Sequence, residues 1–358
     1  MNLELDDDQL ALRDTARRFL AEKASIATHV RALLDDETGT TTTVWRGLAD
    51  LGTTGLLVPT ECGGAGMTML EAGIVAEELG AALHPGPWLS AAVAAPRALL
   101  RAGAAAPTIL TGIADGSTIA AVGPLEIGAG VAAVERGTDI GLRGSAVMPD
   151  AAAADVLLVF AEFRGSIGLF AVPAHFAGVS MTWERGVDQT RRRFRVEFDD
   201  AAAHWLGSLS PGAFGAVVDD VLIATAADAV GAARAVMQLA IEYAKVRKQF
   251  GQAIGSFQAV QHLCVDMFET VELARSGVIH ALWAADNADD EERHLAALRA
   301  KAFAGRLAGV GDTAIQIFGG IGYTWEHDSH LYLKRLLGWS AFLGGPDRYL
   351  IEVGGRLR

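Results

Sequence analysis

Apolar positions in the first third of the chain recur at helical spacing. Leu12, Ala16, Phe19 and Leu20 fall at i, i+4, i+7 and i+8, which predicts a helix with one buried stripe. Ala72, Val75, Ala76 and Leu79 repeat that spacing, and Gly80 stands where a C-terminal cap is expected. Between them Val58-Pro59-Thr60-Glu61-Cys62-Gly63-Gly64-Ala65-Gly66 reads as a glycine-rich loop, and His84-Pro85-Gly86-Pro87 interrupts the chain again. Residues 1–112 therefore read as a helical domain.

The period changes near residue 113. Short apolar runs follow at Ile119–Val122, Val156–Phe160 and Leu169–Val172, and Phe194–Phe198 alternates apolar with polar. These are strand signatures, so residues 113–211 read as a compact β domain. After Pro211 helical spacing returns. Val218, Val221, Leu222 and Thr225 share one face of a helix running to about Lys248. Further helices are predicted over about 257–285, 290–318 and 329–337, giving a helical domain over 212–358 and an α+β chain in the order α, β, α.

Composition narrows the function classes. The 358 residues carry 51% hydrophobic side chains, enough for a large core and contrary to disorder. A net charge of -13 speaks against nucleic acid, whose phosphates require a basic face. The most apolar long stretch, Phe214 to Ala240, is broken by Asp219, Asp220, Asp228 and Arg234. It falls short of the roughly 20 clean apolar residues of a membrane span. The acidic opening from Met1 to Asp8 has no apolar run of the secretory kind. Cys62 and Cys264 form neither a disulfide framework nor a metal spacing. The expectation is a cytoplasmic protein with no membrane segment and no metal.

Two distant segments carry candidate chemistry. The first is Arg247-Lys248-Gln249-Phe250-Gly251, followed by Gln258; the second is Gln316-Ile317-Phe318-Gly319-Gly320-Ile321-Gly322. Arg247 offers a forked donor for phosphate, Phe250 an aromatic face, and the glycines a backbone that a ligand can approach closely. Together they suit a dinucleotide. Their order resembles the acyl-CoA dehydrogenase family, and Val58–Gly66 is similar to that family's N-terminal Val-Pro-x-x-x-Gly-Gly-x-Gly segment. The resemblance spans the chain and is weakest in the middle. It implies a helical N-terminal domain, a β-barrel-like central domain and a C-terminal four-helix bundle. It also implies FAD bound across a subunit interface of a tetramer, with an acyl-CoA substrate and an electron-transfer acceptor. By the same resemblance Arg247, Phe250, Gln258, Gln316, Gly319, Gly320 and Gly322 hold the adenosine and pyrophosphate end of a neighbour's FAD.

The family reaction also needs a carboxylate base, and here the chain departs. The two places from which family members supply that glutamate correspond to Leu343 and Val221, neither of which takes a proton. The catalytic base is therefore unassigned; the neighbouring Asp220 reads as a solvated or interface carboxylate, with a role as the base its alternative. Val122–Gly128 and Ser145–Pro149 replace the family's hydroxyl- and tryptophan-bearing segments around the flavin ring. The His327–Arg335 run and the missing glutamate resemble the base-lacking chain of bacterial α2β2 acyl-CoA dehydrogenases of steroid side-chain degradation. That resemblance implies a homologous partner subunit carrying the base. Self-sufficient catalysis and a non-catalytic acyl-CoA-binding scaffold are the alternatives. Arg191-Arg192-Arg193 reads as a solvated charge run, Trp325–His330 as structural or interfacial, and both cysteines as packed thiols.

Overall fold

The computed structural model describes residues 4–126, 128, 130–137 and 139–356. Met1–Leu3 and Ile127, named above, lie outside the described residues.

The first third is helical, as its periodicity predicts. Helix α1 (Asp7–Lys23) opens on a capping box between Asp6 and Gln9. It is followed by α2 (Thr42–Asp50) and α3 (Met69–Ala81), and α3 opens on a second box between Thr68 and Glu71. A π-helical turn at Leu89–Ala94 runs into α4 (Ala95–Arg101), and α5 (Pro107–Ala114) follows. Gly80 does not cap α3. It lies inside the helix, where an added Cβ would overlap the Asp228 carbonyl, so its role is close helix packing.

Seven strands follow: β1 (Ala120–Gly123), β2 (Val131–Arg136), β3 (Asp139–Pro149), β4 (Val156–Phe163), β5 (Ser166–Pro173), β6 (Val179–Trp183) and β7 (Arg193–Leu209). The order is β1-β4-β2-β3-β7-β5, and β5 also pairs with β4, so the sheet closes on itself. The β1–β4 and β2–β4 pairs are parallel and the other pairs antiparallel. The four apolar runs seen in the sequence are β1, β4, β5 and β7. Strands β2, β3 and β6 were not predicted: β2 is largely exposed, β3 is interrupted by Gly141 and Gly144, and the five-residue β6 alternates Val179, Met181 and Trp183 with Ser180 and Thr182 but has no fully buried position.

The C-terminal part is a bundle of α6 (Pro211–Val246), α7 (Gln258–Asn287), α8 (Asp290–Ala304) and α9 (Ala308–Phe318), extended by α10 (Ser329–Ala341) and α11 (Pro346–Arg356). The predicted single helix over 290–318 is broken by a 3-10 turn at Gly305–Leu307. A Cβ at Gly305 would sit 2.5 Å from Pro346, so the glycine admits the start of α11. Core residues of α3, α6, α7, α8 and α10 form one apolar cluster. Helix α6 also belongs to a second cluster, which joins α4 and α5 to the sheet. Among the described residues no helix is long and apolar enough to cross a membrane.

A buried polar hub joins the three regions. Arg335 on α10 donates to both carboxylate oxygens of Asp228 at 2.9 and 2.7 Å and to the Thr190 hydroxyl at 2.8 Å. Arg191 donates to the same Asp228 at 2.7 Å, and Arg192 is buried against the Asp36 and Leu33 carbonyls. The solvated reading of the arginine run thus fails for Arg191 and Arg192. Only Arg193, which begins β7 and faces Glu184, is exposed. Buried guanidinium and carboxylate groups persist because each is paired and hydrogen-bonded.

Candidate functional site

Arg247 closes α6. Its amide still donates to the Tyr243 carbonyl at 2.9 Å, while its φ/ψ of -69/125 turns the chain into a hairpin of Lys248–Gln249 and Gln252–Ala253. At the hairpin tip Phe250 and Gly251 have φ of 52° and 82°. Positive φ at both tip positions is the geometry of a type I′ turn, for which Asn-Gly is the cheap sequence. A phenylalanine there is strained, and its ring is 92% exposed with only an edge contact to Phe257 at 6.2 Å. Strain held at an exposed aromatic points to use of that ring by a ligand or partner. Gln258 begins α7 directly afterwards and is exposed.

The second motif ends α9. Gln316 is exposed in the last turn. Gly319 has φ 64° and ψ -143°, a conformation reserved for glycine, and a Cβ on Gly319 or Gly320 would meet open space. The backbone of this turn is therefore bare. Gly322 is different: a Cβ there would sit 2.9 Å from Phe318 and 3.2 Å from the Ile315 carbonyl, and the Ser329 hydroxyl donates to its carbonyl at 2.7 Å. It closes the turn. The Phe318 ring lies 5.0 Å from Tyr243 and 4.2 Å from His327. Phe318 thus ties the end of α9 to the end of α6, so both motifs sit at the same end of the bundle.

The side chains there are unspent. Among the described residues Arg247 pairs with no carboxylate, and Gln258 and Gln316 make no side-chain hydrogen bond within the chain. A free guanidinium, two amides, a bare glycine turn and an exposed ring fit the nucleotide end of FAD. The flavin-ring side does not fit in this chain. In Ser145–Pro149 of β3 the one hydroxyl is that of Ser145 and there is no tryptophan, and Val122–Gly123 is buried in β1.

The two base positions converge on an apolar wall. Val221 belongs to the cluster that contains Leu125 and Phe214, and Val218, Phe342 and Leu343 pack against it. Asp220 faces elsewhere and is fully buried. It accepts from Arg97 at 2.8 and 3.2 Å and from Arg101 at 2.8 and 3.2 Å. A carboxylate gripped by two guanidinium forks has no lone pair aimed at a substrate. This removes Asp220 as a base, and it also replaces the expectation of a solvated or interface carboxylate.

Sequence reasoning missed two groups behind this wall. Lys301 on α8 is fully buried, donates to the Trp339 and Ser340 carbonyls at 2.5 and 3.2 Å, and lies 3.8 Å from the Trp339 ring centre. Burial brings its ammonium down to about 7. The only signal in the sequence was a lone lysine in the alanine-rich stretch from Ala296 to Ala304. His294 on the same helix bridges Asp219 and Glu352 at 3.0 and 3.2 Å. The hydrogen bond to Asp219 raises the imidazole above its ordinary value, and burial raises the Asp219 carboxyl. The Trp325–His330 run is tied up locally: Asp328 accepts from Arg31 at 2.9 Å, and His330 lies edge-on to Trp325 at 4.7 Å. Among the described residues no group of three or more His, Cys, Asp or Glu is placed to hold a metal.

Comparisons with known proteins agree with this layout. Residues 6–116 match the acyl-CoA dehydrogenase N-terminal domain and residues 223–356 the C-terminal domain. The chain is 33% identical to acyl-CoA dehydrogenase IpdE2 of Mycobacterium tuberculosis, over 96% of this chain and 95% of that protein. It is also 33% identical to acyl-CoA dehydrogenase FadE34 of the same organism, over 97% of this chain but only 47% of that longer protein. Among solved structures, the Tcur3481-Tcur3483 steroid ACAD G363A variant superposes with a TM-score of 0.89 at 29% identity, covering 98% of both chains. The ChsE4-ChsE5 complex from Mycobacterium tuberculosis superposes with a TM-score of 0.88 at 26% identity, covering 100% of this chain and 99% of that one. With the fold, the two motifs and these relatives in agreement, the chain belongs to the acyl-CoA dehydrogenase family.

Proposed function

We propose that this chain is the base-lacking subunit of an acyl-CoA dehydrogenase complex that carries out α,β-dehydrogenation of an acyl-CoA thioester. FAD, when bound, supplies the hydride acceptor of that chemistry. This chain's part is to hold the nucleotide end of a flavin lodged mainly in a homologous partner. Arg247 pairs with phosphate, Phe250 covers the adenine side, Gln258 and Gln316 donate hydrogen bonds, and the Gly319–Gly320 backbone admits the pyrophosphate. The partner contributes the carboxylate that takes the α proton, and an electron-transfer acceptor removes the electrons.

One observation carries the reading: an unpaired Arg247 beside a bare glycine turn coexists with an apolar wall at both base positions. A pure scaffold has no use for the first feature, and a self-sufficient enzyme is not served by the second. The relatives support the finer points. One solved neighbour is described as a steroid acyl-CoA dehydrogenase and another as a two-component complex. We therefore extend the proposal to a bulky, steroid-type CoA thioester, a heterotetramer and a cytoplasmic location.

Purification of the chain alone and together with a homologous partner tests this. The expected outcome is a colourless chain alone and a complex absorbing near 450 nm that bleaches with acyl-CoA. Arg247→Ala removes a charge-assisted bond of about 1.5–3 kcal/mol, so FAD retention by the complex should fall about 10- to 150-fold. A yellow, bleaching homomer, or unchanged FAD affinity in the variant, overturns the proposal.

A further inference from the structure

One imidazole in this chain has more hydrogen-bond acceptors around it than its neutral form can serve. His294 on α8 reaches Asp219 of α6 with Nδ1 at 3.0 Å from both carboxylate oxygens, and Glu352 of α11 with Nε2 at 3.2 Å. Both neighbours accept only. A neutral imidazole carries one N–H and serves one of them; only the doubly protonated ring serves both.

The two carboxylates are unequal. Asp219 is buried, 3% exposed at its side chain, whereas Glu352 is 42% exposed and has a second partner, Arg356, at 3.2 Å on its own helix. When one proton leaves, the remaining N–H therefore stays with Asp219, and Glu352 falls back on Arg356. The other charged groups near His294 do not compete for its nitrogens. Asp220 is held by Arg97 and Arg101, Arg293 pairs with Asp290 at 2.6 Å, and Lys301 donates to the α10 carbonyls. From α7, His280 faces Glu292 instead, at 3.7 Å.

Helix α11 has an inner and an outer half. Its inner end is anchored by Tyr349, which is buried and donates to the Leu343 carbonyl at 2.7 Å. The outer half, past Leu350, meets α6 through His294. The turn before the helix has positive φ at Leu343 and Gly344, 52° and 101°, a bend on which the helix is hung.

We propose that His294 is a proton-dependent fastener that pins the outer half of α11 to α6 and α8 and releases it when the ring loses one proton. The raised proton affinity given by Asp219 places release on the alkaline side of an ordinary histidine. By linkage, the fastening is complete below the unfolded histidine value of about 6.5 and is lost as pH rises through the folded one. The consequence reaches the apolar wall, because α11 braces the turn that carries Phe342 and Leu343.

Amide hydrogen exchange of the full chain, in the assembly in which it purifies, reads this directly. After correction for intrinsic rates, amides of residues 351–356 should exchange about two- to fivefold faster at pH 8.5 than at pH 6, as suits a partly exposed ion pair. Residues 223–240 of α6 should show no such step. In Glu352→Ala, a surface change that removes the outer partner and leaves Asp219–His294 intact, the step should vanish and exchange should stay at the fast level. His294→Gln should do the same. A wild-type chain without the step, or a step that survives in Glu352→Ala, overturns the proposal.

Discussion

His29 and His84 are both buried and stack with ring centres 5.8 Å apart and planes 1° from parallel. Among the described residues neither Nδ1 nor Nε2 of His84 has a hydrogen-bond partner, nor does Nε2 of His29. Burial holds both rings below the ordinary histidine value, and each ring's charge would oppose the other's. Both are therefore neutral in the fold, while the unfolded chain takes up protons near 6.5. A depressed folded value gives stability that is whole above pH 6.5 and drains away as pH falls through the window below it. Thermal unfolding between pH 6.5 and 5 should therefore lose more stability in the natural chain than in His84→Gln, at about 1.4 kcal/mol per unit of depressed pKa. Parallel slopes for the two chains would remove the stacked pair from the explanation. At this scale the sequence was read unevenly. Arg247, Phe250 and Gln316 could be singled out because neighbouring residues in the chain carry the motif. Asp220 was misread because its partners, Arg97 and Arg101, lie more than a hundred residues away, and ion pairing at that range leaves no local pattern. Arg191 and Arg192 were misread for the same reason: their charge is neutralised by Asp228 and by distant carbonyls.

Helices were legible where one face is apolar, and their ends were not. Gly80 was expected to end α3, since glycine after an apolar stripe commonly does. It lies instead where α3 and α6 cross most closely: an added Cβ would overlap the Asp228 carbonyl, and one on Gly231 would overlap the Glu77 carbonyl. The crossing needs a glycine on each helix. Gly80→Ala should accordingly cost about 1–3 kcal/mol through overpacking. Gly277→Ala, on α7 with open space around its Cα, should gain about 0.5–1 kcal/mol from helix propensity alone. Urea denaturation of the two variants distinguishes the causes, because propensity acting alone would move both in the stabilising direction. The same physics explains the break at Gly305, read as mid-helix, where Pro346 fills the space a side chain would occupy. It does not explain the missed strands. Strand β2, Val-Ala-Ala-Val-Glu-Arg, has only Val131 buried and gains its place from pairing with β3 along its full length. Support from a paired neighbour is not written in the strand's own apolar pattern.

For the whole molecule, the half-site proposed at the end of the bundle would have meaning only beside another subunit. Helix α7 shows where such a neighbour would rest. Val265, Phe268 and Leu273 are 62%, 54% and 61% exposed, and they occupy one broad face of a helix whose buried residues run from Met267 to Ala285. Large apolar side chains grouped on an exposed helix face mark an interaction surface, and α7 begins at Gln258, directly behind the Arg247–Phe250 hairpin. Docking along α7 would therefore bring a neighbour to the residues proposed to hold the cofactor. The net charge of -13 sharpens the test, because an acid placed on this face adds repulsion to the lost apolar contact. The double change Phe268→Glu and Leu273→Glu should leave the far-ultraviolet spectrum unchanged, since both side chains already face water in the single chain. On size-exclusion chromatography it should shift the assembly to smaller species, and the flavin should leave with the assembly. Arg247→Ala should separate these effects by keeping the assembly size while losing flavin. If the double variant stays assembled and yellow, the neighbour rests on a different face, and the path from α7 to the nucleotide end of the cofactor must be redrawn.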